Sequence, residues 1–182
     1  MEILKFLPNR VLRLYRGGSG LDRLGGRTDG ADTRFPEGWI ASCIEGNGRA
    51  YHAPGPGLSK IDFGGKERRF ADLLKTHPLE LLGERHVARY GAVPAVLVKL
   101  LDSAEQLPLQ VHPTRAQAKK LLHSDYGKTE AWIVLATREV NGEEPYLLAG
   151  FNHSLDKEVF RRECREGKLD RAAAMLHKLS VK

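Results

Sequence analysis

Apolar and polar positions along the chain predict several short strands in the middle of the sequence. The apolar run "VPAVLVKLLDS" at 93–103 has the length of a strand, and its near-continuous hydrophobicity predicts burial on both faces. Further strands are predicted where β-branched or aromatic residues stand between turn-forming residues. These are "GWIASCI" at 38–44, "LPLQVH" at 107–112, "EAWIVLAT" at 130–137 and "EPYLLAGF" at 144–151.

Helical periodicity flanks these strands, with predicted helical segments near 66–92 and 154–178. The stretch 70–91 predicts two short helices separated at Pro78. A helix is predicted after Thr114, a good N-cap residue, and another after a capping Ser154. The segment "LDRAAAMLHKL" at 169–179 predicts a final helix, whereas the Gly-rich stretch 17–35 has no periodicity and predicts a loop.

A strand-rich centre with helices outside it, and without a repeating β-α-β order, favours a mainly β fold with helical insertions. The architectures that fit are a β-sandwich or a barrel.

Composition and charge restrict the class of protein. The 182 residues include 41% hydrophobic and 29% charged residues, and this length suits one globular domain with a real core or one and a half small domains. No apolar run approaches the roughly 20 residues that span a bilayer, and no secretory signal is recognised at the start. Two cysteines, Cys43 and Cys164, stand far apart in the sequence and predict reduced thiols in a cytoplasmic protein.

The net charge of +6 leaves a nucleic acid, a membrane surface or a small phosphorylated substrate open as a partner. The charge is spread along the chain, and no aromatic-and-basic RNA-binding motif accompanies it. We therefore expect neither a nucleic acid nor a membrane as the partner.

The stretch "QVHPTRAQAKKLLHSDYGKTEAW" at 110–132 carries the candidate chemistry. Gln110 and His112 are two residues apart on a predicted strand, so their side chains project to one face. Glu130 begins the next predicted strand and could lie opposite His112. An imidazole, a carboxylate and an amide oxygen form a ligand set suited to zinc or a similar metal.

The residues by themselves leave other interpretations open. A histidine beside a glutamine on a strand also occurs as an ordinary polar pair at the mouth of a barrel. Lys128, two residues before Glu130, is either a solvated loop lysine or a cation placed to meet a substrate phosphate.

Motifs along most of the chain resemble those of the type I phosphomannose isomerases, which are cupins. "LPLQVHP" followed by "YGKTEAWIVL" resembles the paired signature of that family. Other segments agree in order, namely "YRGGSGLDRLGG", "FPEGWIAS", "GLSKI", "VLVKLLDSAEQLPLQVHP" and "PYLLAGF".

The resemblance implies a cupin-like jelly-roll β-sandwich and a zinc-dependent (or other divalent-metal-dependent) aldose–ketose isomerase. The implied reaction interconverts mannose 6-phosphate and fructose 6-phosphate, so the implied partner is a sugar phosphate. Carried over by motif, Gln110, His112 and Glu130 match metal ligands and Lys128 matches a phosphate-binding residue.

Two departures from the family pattern shape further expectations. Pro108 stands where relatives can carry a serine that contacts the phosphate. Family members also continue beyond the equivalent of Lys182 with a segment that carries another metal-binding histidine. We therefore expect residues 1–182 to be the N-terminal portion of the catalytic domain, with an incomplete jelly roll and little or no turnover by itself. The proton-transfer residue is expected beyond Lys182, and uncovered strand edges are expected to permit self-association.

His153 and His177 lie outside any matching motif, and we expect no metal role for them. The main alternative function is a non-catalytic cupin module that binds a phosphorylated sugar. A basic nucleic-acid binder is the third hypothesis.

Overall fold

Short antiparallel strands and short helices build two separate parts of the chain. The structure is a computed structural model, which describes residues 3–46, 57–153 and 155–182. They divide into two compact units, unit 1 up to Leu107 and unit 2 from Pro108 onwards.

Unit 1 contains two three-stranded antiparallel sheets, with strand orders β1-β4-β5 and β2-β3-β6. Its strands are Lys5–Phe6 (β1), Arg10–Val11 (β2), Glu37–Ile40 (β3), Lys60–Phe63 (β4), Lys66–Arg69 (β5) and Val98–Leu101 (β6). Its helices are Ser19–Leu24 (α1), Phe70–Thr76 (α2), Pro78–Leu82 (α3) and Glu84–Tyr90 (α4). The three consecutive helices α2 to α4 stand where two were predicted, because Gly83 interrupts the helical stretch a second time.

Unit 2 contains one antiparallel pair and three helices among its described residues. They are Arg115–Leu122 (α5), Tyr146–Phe151 (β7), Lys157–Arg165 (α6), Leu169–Ala173 (α7) and Leu176–Ser180 (β8). The predicted helix after Thr114 is confirmed. The predicted N-cap Ser154 lies outside the described residues, and α6 is capped by the Asp156 carboxylate, which accepts from the backbone N–H groups of Glu158 and Val159 at 2.9 Å.

The main apolar cluster of unit 1 forms where the buried face of α2 meets β4. Ile61, Phe70, Leu73 and Leu74 are buried there. The Phe6 ring from β1 packs edge-to-face on Phe70, with ring centroids 4.9 Å apart. Such an edge-to-face pair places the positive ring edge against the negative ring face, which adds to the free energy gained by burial.

A buried carboxylate organises the second sheet of unit 1. Glu37 on β3 accepts hydrogen bonds from Arg13 Nη2 at 2.8 Å, Tyr15 Oη at 2.5 Å and Trp39 Nε1 at 2.7 Å. The Lys99 ammonium lies 3.6 Å away on the neighbouring strand β6. Burial alone would raise the pKa of Glu37, but these three donors and the charge of Lys99 lower it from 4.5 to about 2.

The Gly-rich stretch predicted as a loop contains the short helix α1. The first backbone N–H groups of such a helix need an acceptor. The Asp102 carboxylate supplies one, because its Oδ2 accepts from Gly18 N at 2.9 Å and Gly20 N at 2.8 Å. This acceptor lies more than eighty residues further along the chain, so the local sequence does not reveal it.

Three strand predictions need correction. The run 93–103 forms only Val98–Leu101, and this strand lies at a sheet edge, partly exposed, and is not buried on both faces. The segments 107–112 and 130–137 are not strands. A strand requires a hydrogen-bonded neighbour, and the one sheet in the described part of unit 2 is the β7–β8 pair.

The predicted final helix is also partly wrong. It ends at Ala173, and Leu176–Ser180 pairs with β7 as strand β8. Pairing with β7 outweighs the helical preference of the Ala-rich sequence before it, as tertiary context often does.

The fold class is therefore mixed, with small antiparallel sheets and seven helices among the described residues. The jelly-roll arrangement and self-association through strand edges stay predictions. Within the described ranges, no helix has both the length and the hydrophobicity that crossing a membrane requires.

We predict that Glu37→Gln lowers the free energy of unfolding of unit 1 by about 3 kcal/mol, because Arg13 loses a buried anionic partner. Since folding depresses the pKa of Glu37, its stabilising contribution is present above its ordinary pKa of 4.5 and is lost as the pH falls towards 2. Urea unfolding followed by Trp39 fluorescence, at a series of pH values, measures both effects.

The matched control is Glu67→Gln, since Glu67 pairs with Lys60 at 2.5 Å with both side chains about half exposed. This change should cost less than about 1 kcal/mol. Equal losses for the two variants would show that the Glu37 cluster does not stabilise unit 1.

Candidate metal and phosphate site

The site in unit 2 begins with a helix whose start is well defined. Thr114 Oγ1 accepts from the Gln117 backbone N–H at 3.3 Å, and Gln117 Oε1 accepts from the Thr114 N–H at 2.9 Å. This reciprocal capping box fixes the direction in which the chain leaves the 110–113 segment and enters α5. The helix ends at His123, which adopts a left-handed conformation with φ of 53°.

Gly127 then brings the returning chain against the start of the helix. A Cβ atom at Gly127 would lie 2.8 Å from the Pro113 carbonyl oxygen and 3.0 Å from Arg115 N. The next residue, Lys128, donates its backbone N–H to the same Pro113 oxygen at 3.1 Å. Only a residue without a side chain permits this approach, which sets the segment 128–132 beside 110–112.

The four residues singled out in the sequence come together at this point. Lys128 Nζ donates to Gln110 Oε1 at 2.8 Å and lies 3.1 Å from both His112 Nε2 and Glu130 Oε2. His112 Nε2 lies 3.3 Å from Glu130 Oε2. The donor atoms of the three predicted metal ligands therefore surround one cation, although neither segment forms a strand.

The neighbouring lysine sets the hydrogen-bond role of His112 Nε2. An ammonium group has three donors and no acceptor, so His112 Nε2 must accept the hydrogen bond from Lys128. In this hydrogen bond the lone pair of Nε2 receives the Lys128 N–H, so Nε2 itself carries no proton. This is also the form of histidine that binds a metal ion.

Glu130 is held in its charged form. Burial would raise its pKa, but hydrogen bonds from the Trp132 indole and from Lys128, together with the charge of Lys128, lower the pKa below its ordinary value. Trp132 Nε1 donates to Glu130 Oε1 at 2.8 Å, so the other oxygen, Oε2, is the one that faces Lys128 and His112.

Trp132 is the residue that the sequence interpretation missed. Both tryptophans of the chain stand two residues after a glutamate and donate their indole N–H to it, Trp39 to Glu37 and Trp132 to Glu130. In extended chain, residues i and i+2 project to the same side. The repeated Glu-x-Trp spacing was therefore a signal for an oriented carboxylate.

The donor set fits a divalent metal ion. The Lys128 ammonium is a stand-in cation that already contacts an amide oxygen, an imidazole nitrogen and a carboxylate oxygen. Zinc takes such N and O ligands. Among the described residues, no group of three or more His, Cys, Asp or Glu side chains lies together, so the third donor here is the weaker amide oxygen of Gln110.

The remaining candidate residues lie elsewhere. His153 and His177 approach each other edge-to-face, with ring centroids 6.3 Å apart, away from the four-residue cluster along the chain. Both cysteines are free thiols, Cys43 partly buried and Cys164 exposed. Burial raises the pKa of the Cys43 thiol, which lowers its reactivity.

Comparison with known proteins identifies the segment that carries the cluster. Residues 56–131 match the family model of the phosphomannose isomerase type I catalytic domain. The resemblance to type I phosphomannose isomerases is confirmed. The matched residues include Gln110, His112, Lys128 and Glu130, the four members of the cluster.

A curated relative agrees with the phosphomannose isomerase match. The chain is 36% identical over 77 residues to the probable mannose-6-phosphate isomerase GmuF of Bacillus subtilis (strain 168). The alignment covers 42% of this chain and 23% of the relative, so the chain spans less than a quarter of the relative's length. No solved structure matches the chain.

We predict that Gly127→Ala separates the two segments of the site and destabilises unit 2 by about 1–3 kcal/mol, because the added methyl group meets the Pro113 carbonyl oxygen. Nuclear Overhauser effects between the Lys128 side chain and the His112 ring report the separation. They should weaken or vanish in the variant, and urea unfolding measures the loss of stability.

Gly25→Ala provides the control, since a Cβ atom there would lie 3.4 Å from its nearest neighbour, an ordinary contact. Persistence of the Lys128–His112 contact in Gly127→Ala would show that another feature holds the two segments together.

Proposed function

We propose that the chain contributes to a metal-dependent aldose–ketose isomerase that interconverts mannose 6-phosphate and fructose 6-phosphate. The observation that carries the proposal is the convergence of Gln110, His112 and Glu130 on one cation within the segment that matches the type I catalytic domain. The relative's name supports the same reaction. The free thiols are compatible with our proposal that the protein works in the cytoplasm.

In the proposed mechanism, the three side chains hold zinc or another divalent cation, and Lys128 binds the substrate phosphate. Isomerisation moves a proton between C2 and C1 of the sugar, which develops negative charge on the adjacent oxygens. The bound cation would supply Lewis-acid stabilisation of that charge. Trp132 orients Glu130 through its indole hydrogen bond, and Lys128 uses the remote phosphate to align the reacting carbons.

We further propose that the small sheets belong to a cupin-like jelly roll. The antiparallel pairing of every sheet in the described ranges supports this, as does the exposed apolar segment 132–135, which is suited to pairing with a further strand. Two donors of the proposed metal site are strong ligands and one is an amide, so we expect weak metal binding and low turnover from residues 1–182 alone.

The alternative function is a cupin module that binds the phosphorylated sugar without catalysis. The charge of Lys128 and the polar cluster around it would serve binding equally well. Only a test that separates binding from proton transfer distinguishes the two functions.

We predict that the chain, supplied with Zn²⁺ in D₂O, converts mannose 6-phosphate into fructose 6-phosphate, with deuterium at C1 of the product and C2 of the substrate wherever the transferred proton exchanges with solvent. Exchange detected by nuclear magnetic resonance reveals even slow turnover. His112→Ala should reduce the rate by at least about tenfold, because the residue is a proposed metal ligand. His177→Ala, an exposed histidine of β8, is the matched control.

Calorimetric titration with mannose 6-phosphate completes the experiment. Binding with neither fructose 6-phosphate formation nor deuterium exchange would favour the non-catalytic module. Absence of both binding and exchange, with Zn²⁺ present, would contradict both functions.

A further inference from the structure

The position of Lys128 conflicts with its proposed role in binding phosphate. Its three ammonium donors face three acceptors, at 2.8 Å for Gln110 Oε1 and 3.1 Å for His112 Nε2 and Glu130 Oε2. An ammonium group has three N–H bonds. In this arrangement they are directed at the proposed metal ligands, and none remains for an anion.

The same geometry prevents a metal ion from binding these three atoms while the Lys128 ammonium remains among them. Nζ stands at the point to which the three donor atoms converge, and a divalent cation held by the same atoms would occupy that space. Two cations a few ångströms apart also repel each other strongly in a partly desolvated site. Metal binding therefore requires the Lys128 ammonium to leave.

Lys128 is able to leave without rearrangement of the backbone. The Lys128 side chain is 41% exposed. Rotation about the single bonds of its aliphatic stem carries the ammonium group outward into solvent. Gly127 and the Lys128–Pro113 backbone hydrogen bond keep the main chain in place while the side chain moves. After the movement, all three donors are available to an anion beside the metal.

We infer that Lys128 is an exchangeable internal cation, which holds Gln110, His112 and Glu130 together in the metal-free chain and is displaced by the metal to become the anion-binding group. This inference rests on the metal-ligand set under the proposed function. It adds that Lys128 weakens metal binding, and that its charge reaches a phosphate only after a metal ion has entered. Binding of metal and anion is consequently coupled, and by linkage each increases the affinity for the other.

Titration with Co²⁺ alone, followed by its visible absorption, tests the competition. Lys128→Ala should bind Co²⁺ about tenfold more tightly than the natural chain, because the competing charge is removed. Lys128→Arg, which retains a cation, should show no such gain. Lys119→Gln also removes one positive charge, from a 3.5 Å exposed pair with Asp125, and should leave the affinity unchanged.

Fluorescence of Trp132 gives a second measure of the same binding, because its indole contacts the proposed ligand Glu130. The Co²⁺-dependent change should occur in the natural chain and in Lys128→Ala, and should be absent in Trp132→Phe. Circular dichroism of each variant identifies any that fails to fold. A misfolded Lys128→Ala is replaced by Lys128→Leu, which retains more of the aliphatic stem.

The displacement itself is visible in ¹H–¹⁵N spectra of lysine ammonium groups, in which hydrogen-bonded groups exchange slowly enough to be observed. The Lys128 signal, assigned by its loss in Lys128→Arg, should be present without metal and disappear on addition of stoichiometric Zn²⁺. A signal that persists when the metal site is saturated would overturn the inference.

The outcomes separate the inference from the function on which it rests. Equal or weaker Co²⁺ binding by Lys128→Ala overturns the exchange and leaves the proposed metal ligands standing. If neither the natural chain nor Lys128→Ala binds Co²⁺, both the exchange and the proposed metal ligands are overturned. Binding by Lys128→Ala alone supports the exchange in its strongest form.

Discussion

The contact of Gly127 with the chain at Pro113–Arg115 is the constraint on which the site of unit 2 depends. The segments 110–112 and 128–132 have no strand ladder between them, so backbone pairing along their length does not align them. One backbone hydrogen bond, from Lys128 to Pro113, and one contact too close for a Cβ atom set their separation. The capping box of α5 fixes the geometry on one side of this contact, and the left-handed His123 ends the helix on the other.

A carboxylate oriented by a tryptophan occurs in each unit. In each Glu-x-Trp pair, the indole takes one carboxylate oxygen or shares it with a cation, and lysine or arginine charges keep the group ionised. Glu37 is almost fully buried with four polar neighbours, which suits a structural role. Glu130 is more exposed, and its Oε2 faces His112 and Lys128, an arrangement in which the charged partner is able to exchange.

The candidate site could be predicted from the sequence, whereas much of its structural support could not. The two-residue spacing of Gln110 and His112, with the match to the family motif, was sufficient to place them beside Glu130 and Lys128. The apolar character of 130–137 predicted a strand, but strand formation depends on a partner that local sequence does not specify. For the same reason, the sequence 169–179 predicts a helix throughout, although Leu176–Ser180 pairs with β7. The helix α1 was missed because its acceptor, Asp102, is remote in sequence.

The alternation of site residues along the two segments has a consequence for how such a chain tolerates insertions and deletions. Gln110 and His112 lie on one side of the chain, as do Lys128, Glu130 and Trp132, because extended backbone repeats every two residues. One inserted or deleted residue within 128–132 would turn every following side chain of that segment to the opposite side. The cluster would then be lost although all of its residues were still present in the sequence. Extra residues between His123 and Tyr126, at the end of α5, would leave both segments in register. Length variation among natural relatives should therefore gather in that turn and avoid the two short segments that it connects.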